Sequence, residues 1–145
     1  LLPRLSEDTA LLSSPLARAR ETATPLAAAL DKPVLVEEVF SEVPAPVPLQ
    51  QRQSWLREFM QQQWSGQPAS LRQWRDRALS ELLGQSQPAV VFTHFMLINA
   101  VVGRMLHRPD ILCFWPDNGS ITQLRHTGGT LELISLGREM DTVVN

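Results

Sequence analysis

Strand and helix patterns alternate along this chain, which predicts an α/β fold: a mostly parallel sheet with helices on both faces. Three observations carry that expectation. Short apolar runs at residues 9–12, 33–36 and 89–92 have the length and composition of strands. Stretches with apolar residues at steps of three and four lie between and after them, the period of a helix packed on a sheet. Proline, glycine, serine and asparagine clusters separate the two kinds of pattern. At 145 residues the chain has the length of one domain and can bury a core.

Residues 1–5 are too short to stand alone and read as the tail of an earlier element. The strand at 9–12 stops at Ser14-Pro15, where a hydroxyl able to cap free amides precedes a proline suited to a first helical turn. Leu16, Ala19, Ala23, Leu26, Ala27 and Leu30 then form the inward stripe of a helix. Pro25 falls inside it and, lacking an N–H, is expected to kink or split it. After the strand at 33–36, residues 41–48 carry three prolines and must form a loop.

Residues 49–64 predict a helix with Leu49, Leu56, Phe59 and Met60 facing in. Ser70 is expected to cap the next helix, which runs to residue 83 with Leu71, Trp74, Ala78, Leu79 and Leu82 inward and ends at Gly84. The strand at 89–92 leads into a helix over 95–106 that is apolar nearly all round, hence buried on several sides. Residues 120–124 and 130–136 predict two strands joined by a turn at Thr127-Gly128-Gly129.

Composition excludes several function classes. The chain is 43% apolar and 19% charged with a formal charge of -2, so nothing in its global electrostatics favours nucleic acid or a membrane surface. No apolar run approaches the ~20 residues of a membrane helix, and no basic-then-apolar leader opens the sequence. One cysteine, Cys113, excludes an internal disulfide and fits a reducing, cytoplasmic setting. There is no internal repeat.

In open parallel sheets, ligands collect beyond the carboxyl ends of the strands. Ser13-Ser14 follows the first strand and His94 follows the third, so Arg18 and His94 are expected on one edge. In the first turn of its helix, Arg18 sits beside free amides and the positive end of the helix dipole, an anion site. On local pattern alone it reads equally as an arginine solvating a helix end. A lone histidine is commonly structural, and convergence with Arg18 is what makes His94 a candidate.

The run Ser13-Ser14-Pro15-Leu16-Ala17-Arg18-Ala19-Arg20-Glu21-Thr22-Ala23 resembles a signature of the histidine phosphatase superfamily, the phosphoglycerate mutase-like proteins. There a Ser-Pro-Leu turn leads into a helix whose arginine binds the substrate phosphate, and the resemblance implies that Arg18 is that arginine. Val90-Val91-Phe92-Thr93-His94-Phe95-Met96-Leu97-Ile98 resembles the second histidine motif, implying that His94 contacts phosphate and stabilises the transferring group. The usual next residue is glycine. Phe95 stands there instead, narrowing the phosphate site or turning an aromatic ring toward the substrate.

Phosphate-ester cleavage needs a proton for the leaving oxygen, and a carboxyl held partly from water can supply it. Glu42, in the proline-rich loop, resembles in position the family's acidic residue after the second strand, which implies the proton-donor role. Glu37 and Glu38 compete for it. Asn118-Gly119-Ser120-Ile121 resembles the family's Asn-Ser turn, with Asn118 expected at the pocket rim beside Ser14 and Phe95. Ser70-Leu71 resembles a Glu-Ser-Leu helix start.

Two further motifs point elsewhere. Arg125-His126-Thr127-Gly128 imitates the family's Arg-His-Gly nucleophile motif, but it lies between two late strands rather than at the mouth of a first strand. The segment from Arg52 to Arg77 mixes five arginines with Trp55, Trp64 and Trp74. Such mixing can bind single-stranded nucleic acid, yet the helical spacing reads as amphipathic packing. In the family this middle region covers the active site, so some of these arginines could face an anionic substrate.

The resemblance spans residues 1 to about 136 and omits the strand that ends in Arg-His-Gly. The expected fold is therefore phosphoglycerate mutase-like without its first strand, with residues 1–145 a single, N-terminally incomplete domain. That strand lies inside the family's sheet, and its neighbours would have unpaired backbone groups costing about 1–3 kcal/mol each. A longer natural protein, a partner chain filling the gap or a rearranged sheet is expected. The implied function is a phosphatase or mutase acting on a small phosphomonoester through a phosphohistidine, with the nucleophile-bearing segment absent. The alternative is a non-catalytic phosphate-binding or protein-interaction module of the same fold. The implied partner is a small phosphorylated substrate or inorganic phosphate, with no cofactor, metal, nucleic acid or membrane; a homo-oligomer is left open. These residues alone are expected to turn over very little phosphate ester.

Overall fold

The three apolar runs pair side by side as one parallel sheet. The computed structural model describes residue 5 and residues 7–140; residues 1–4, which carry most of the tail reading, lie outside the described residues. Strands β1 (Ala10–Ser13), β2 (Val34–Val36) and β3 (Ala89–Phe92) stand in the order β2-β1-β3. Leu12 pairs with Leu35 on one side and Val91 on the other. The central strand is the most buried of the three, as a strand covered on both faces must be. No strand among the described residues pairs with the far edge of β3.

Helix α1 (Ala17–Leu30) packs against all three strands, and the small residues Ala19 and Ala23 let its backbone approach closely. Its start departs from expectation. Leu16 occupies the cap position, and the Ser14 hydroxyl accepts the Leu16 N–H at 3.1 Å instead of capping the helix. Pro15 stays outside the helix because Ser14 is folded under as part of the β1 edge. Nor does Pro25 split the helix, which runs unbroken for 14 residues. Glu21, whose carbonyl loses its partner, is exposed, so water can take that bond.

The single helix expected over 49–64 is three pieces. A 3₁₀ turn at Leu49–Gln51 precedes α2 (Arg52–Phe59), and a second 3₁₀ turn follows at Trp64–Gly66. Leu49 is 83% exposed, not inward. It belongs to a tight turn with three residues per turn, out of phase with the stripe that α2 buries. Trp55 stacks on Phe59 at 4.6 Å, Phe59 meets Trp64 edge-on, and Arg75 lies over the Trp64 ring at 4.6 Å. The aromatic and basic run is thus largely packing.

Helix α3 (Ala69–Leu83) buries Leu71, Trp74, Ala78 and Leu79 as its period requires, but Pro68 precedes it and Ser70 lies within it without a capping bond. Helix α4 (Phe95–Met105) buries seven of its residues, one of them the polar Asn99. Asn99 Oδ1 accepts the Cys113 and Phe114 amides at 2.6 and 3.0 Å, while its Nδ2 donates to the Phe95 and Phe114 carbonyls at 3.1 Å. Leu12, Phe40, Phe59, Leu71, Trp74, Met96, Leu97 and Ile111 form the centre of the core.

Strands β4 (Gln123–Thr127) and β5 (Thr130–Ser135) form an antiparallel hairpin separate from the parallel sheet. Gly128 and Gly129 have φ of 56° and 84°, the positive values that a two-residue hairpin turn demands. The first of these strands starts later than expected. Residues 117–120 are spent on a turn in which the Ser120 hydroxyl donates to the Asp117 carbonyl and Gly119 takes a φ of 73°.

Candidate active site

The parallel pairing of β1 with β3 decides where chemistry can gather. Ser13 pairs with Phe92, so the residues that follow both strands emerge side by side at the carboxyl edge. Ser14 is fully buried there, with its amide donating to the Phe92 carbonyl at 2.9 Å. Its hydroxyl lies 2.8 Å from His94 Nε2, across 80 residues of sequence. The same oxygen accepts the Leu16 N–H, so it can donate to the imidazole while accepting from the backbone.

Glu42 arrives at this edge from the proline-rich loop. Oε2 accepts the Met96 N–H at 3.0 Å, and Oε1 accepts the Leu97 and Val43 N–H groups at 3.1 Å each. A carboxyl side chain accepting the first amides of α4 also lies at the positive end of that helix's dipole. Two side chains fasten the loop just before it. Thr93 Oγ1 donates to the Phe40 carbonyl at 2.6 Å, and the Trp74 indole N–H donates to the Ser41 carbonyl at 3.0 Å. Neither bond is legible in the sequence, where Trp74 reads only as core. The competing Glu37 and Glu38 make no hydrogen bond to His94 or Ser14 among the described residues; Glu38 accepts the Ser41 hydroxyl at 3.3 Å.

Arg18 is exposed in the first turn of α1 and acts electrostatically on His94. A second guanidinium does the same: Arg52, at the start of α2, which the sequence reading left among five arginines of a packed segment. Its Nη1 donates to the Val43 carbonyl at 3.3 Å, next to Glu42. Burial pushes the His94 imidazole below its usual 6.5; Glu42 pulls it back up, and Arg18 and Arg52 push it down. The neutral form of the ring is favoured relative to a free imidazole. Ser14 and His94 thus meet at one sheet edge, where the charges of Glu42, Arg18 and Arg52 act on the imidazole; a hydroxyl, an imidazole and cations are groups that can hold an oxyanion.

The remaining candidate residues make other contacts. Phe95 is half-buried, packs against the core and meets Trp115 edge-on at 5.3 Å. Asn118 is exposed in the 117–120 turn, where its N–H donates to Asp117 Oδ1, and no hydrogen bond links it to Ser14, Glu42 or His94 among the described residues. His126 lies on β4 with Nδ1 3.2 Å from the Gln85 carbonyl. A groove of about 350 Å³ between α1 and β2 holds none of Ser14, Arg18, Glu42 or His94. Among the described residues, no group of three His, Cys, Asp or Glu side chains is arranged to hold a metal, and no helix is long and apolar enough to cross a membrane.

Comparison with known proteins gives a fold relative and a family. A mycobacterial glucosyl-3-phosphoglycerate phosphatase is similar in fold, with a TM-score of 0.64 at 19% identity, covering 92% of this chain and 80% of that one. No curated protein matches the chain significantly. The family model of the histidine phosphatase superfamily (branch 1) matches residues 2–139. With that match over nearly its whole length, this α/β chain belongs to the histidine phosphatase superfamily.

Proposed function

We propose that this protein binds the phosphate of a small phosphomonoester between Arg18, Ser14 and His94, as the phosphate-holding part of a phosphatase or mutase. The observation that carries the reading is the 2.8 Å approach of His94 Nε2 to Ser14 Oγ with the Arg18 charge beside it. Phosphoryl transfer is catalysed mainly by positioning and by charge at the phosphoryl oxygens, which these groups supply.

In the proposed reaction, an imidazole nitrogen attacks phosphorus, the P–O ester bond breaks, and the leaving oxygen takes a proton from Glu42. Water then attacks the phosphohistidine and returns a proton to the Glu42 carboxylate. Glu42 now faces only donors, so its acid role requires the carboxyl to leave the Met96 and Leu97 amides when substrate enters. No residue of this chain is assigned as the attacking imidazole. The chain holds three histidines, and of these His107 follows α4 and His126 lies on the hairpin, leaving His94 alone at this edge. Among the described residues no strand pairs with the far edge of β3, and a parallel strand placed there would end beside His94.

Titration of the protein with inorganic phosphate by calorimetry tests the binding site. Saturable binding weakened about tenfold or more by Arg18→Ala, the scale of a charge-assisted contact, is expected. Binding indifferent to both Arg18→Ala and His94→Ala would refute it. A second reading, a non-catalytic phosphate-binding or protein-interaction module, is favoured by the single imidazole and by Phe95 in the position after it. Hydrolysis of an aryl phosphate by the protein joined to an upstream Arg-His-Gly segment supports the enzyme; binding without turnover supports the module.

A further inference from the structure

We propose that β2 pairs edge to edge with β2 of a second copy of this chain, joining two three-stranded sheets into one across a two-fold axis.

A strand of a parallel sheet is ordinarily buried on both faces. Val34, Leu35 and Val36 have the composition of such a strand, yet none of them is buried. Leu35 is 51% and Val36 48% exposed. β2 stands at the end of its sheet, with β1 on one side and no strand on the other among the described residues. Edges that face water are protected by a charge, a proline or a bulge within the strand. β2 has none of these, and its register with β1 runs without a shift from Val34 to Val36. A groove of about 350 Å³ opens between α1 and the two valines, and one of about 250 Å³ beside Leu35, Pro33 and Lys32.

Backbone parity decides what fits this edge. The Glu37 N–H donates to the Ser13 carbonyl at 2.8 Å. By the alternation of a parallel ladder, Leu35 also turns its backbone groups to β1, while Val34 and Val36 point theirs away. In an antiparallel pair centred on Leu35, Val34 donates to and accepts from Val36 of the second copy, and Val36 does the same with Val34. Every outward group of both strands is then paired. A register centred on either valine leaves the outward groups of the other without a partner in the strand.

The charges agree with this direction. Lys32 precedes the strand, and Glu37 and Glu38 follow it. Antiparallel pairing lays the positive end of one copy along the negative end of the other. The groove beside α1 carries one arginine and one glutamate, Arg20 and Glu21. A two-fold axis next to β2 sets that pair alongside its own reverse, so unlike charges meet. Such a self-complementary contact uses up both edges, and assembly stops at the dimer.

Light scattering on the protein at micromolar concentration is expected to give twice the mass of one chain. In a Cys113→Ser background, Leu35→Cys should form a disulfide-linked dimer with copper phenanthroline and air as oxidant. The two Leu35 positions are a non-hydrogen-bonded pair with Cα atoms about 4.5 Å apart, within disulfide reach. Val36→Cys should not cross-link, because its two copies lie roughly 9 Å apart. Leu35→Lys, which sets two ammonium groups face to face, should run as a monomer with an unchanged far-ultraviolet spectrum. A one-chain mass, a ladder of larger assemblies, or a dimer that Leu35→Lys leaves intact overturns the proposal. So does failure of Leu35→Cys to cross-link, or equal cross-linking by both cysteines, which marks random collision.

Discussion

Ser14 Oγ and His94 Nε2 stand 2.8 Å apart, joined by the parallel pairing of two strands whose following residues share one edge. Ser14→Ala removes the hydroxyl that orients the ring and satisfies the Leu16 amide. Its stability loss should be about 1 kcal/mol in urea denaturation, the net worth of a hydrogen bond. Phosphate affinity should fall more than that loss explains, because the imidazole is then free to turn. Unchanged affinity in a folded Ser14→Ala protein would separate the serine from the site.

Titration of His94 should be visible in both folding and binding. Its folded value lies below the unfolded 6.5, chiefly through burial, so the unfolded chain binds the proton more readily. The contribution of this group is fully present above about 6.5 and is lost as pH falls below it. Urea midpoints of the protein should therefore fall from pH 7.5 to 5.5 more than those of His94→Gln. Phosphate binding runs in the opposite sense, since an anion favours the imidazolium. Calorimetric enthalpies in buffers of different ionisation heat should report proton uptake on binding near pH 6.5.

Glu42 bridges its loop to the first amides of α4. Glu42→Ala strips three N–H groups of their acceptor and should cost about 1–3 kcal/mol, as lost caps and unsatisfied donors do. Glu42→Gln keeps one acceptor oxygen and should cost less. Equal midpoints for all three proteins in denaturant would mean that water replaces the carboxylate without loss.

Asn99 makes four hydrogen bonds from a fully buried position. Asn99→Leu should destabilise by about 3 kcal/mol or more, because it strands buried backbone amides and carbonyls. Asn99→Asp keeps the acceptors for Cys113 and Phe114 but loses both donor contacts, and should fall between. Thermal or urea unfolding of the three proteins orders them.

Pro25→Ala offers the reverse sign. The residue sits inside an unbroken helix with an exposed neighbour whose carbonyl lacks a partner, so alanine should stabilise by up to about 3 kcal/mol, the helix penalty of proline. A loss on substitution would show that the proline shapes the packing of α1 on the sheet.

The strand at Ala89–Phe92 and the helix after it were legible because an apolar run, a short polar break and a second apolar run leave little choice. The helix over Ala69–Leu83 was legible from its period alone. What local pattern does not carry is pairing over distance. The order β2-β1-β3, the Glu42 contacts 54 and 55 residues away and the Trp74 bond to Ser41 all depend on which surfaces meet. Ser14 misled for a related reason: its hydroxyl suits a helix cap, and tertiary pairing turned it to the imidazole instead. Arg52 was hidden in a segment whose other arginines and tryptophans largely serve packing, with no signal of its own beyond charge. Leu49 looked like the start of a buried stripe, but a tight turn carries it into water.

The Phe40 and Ser41 carbonyls are gripped by Thr93, just after β3, and by the Trp74 indole from within α3. The proline-rich loop is therefore moored at its root, where the Phe40, Ser41 and Val43 amides, each with an acceptor, should exchange with solvent more slowly than those of Ala45 and Val47. Entry of a ligand then calls for rotation of the Glu42 side chain about a stationary backbone, with no swing of the loop itself.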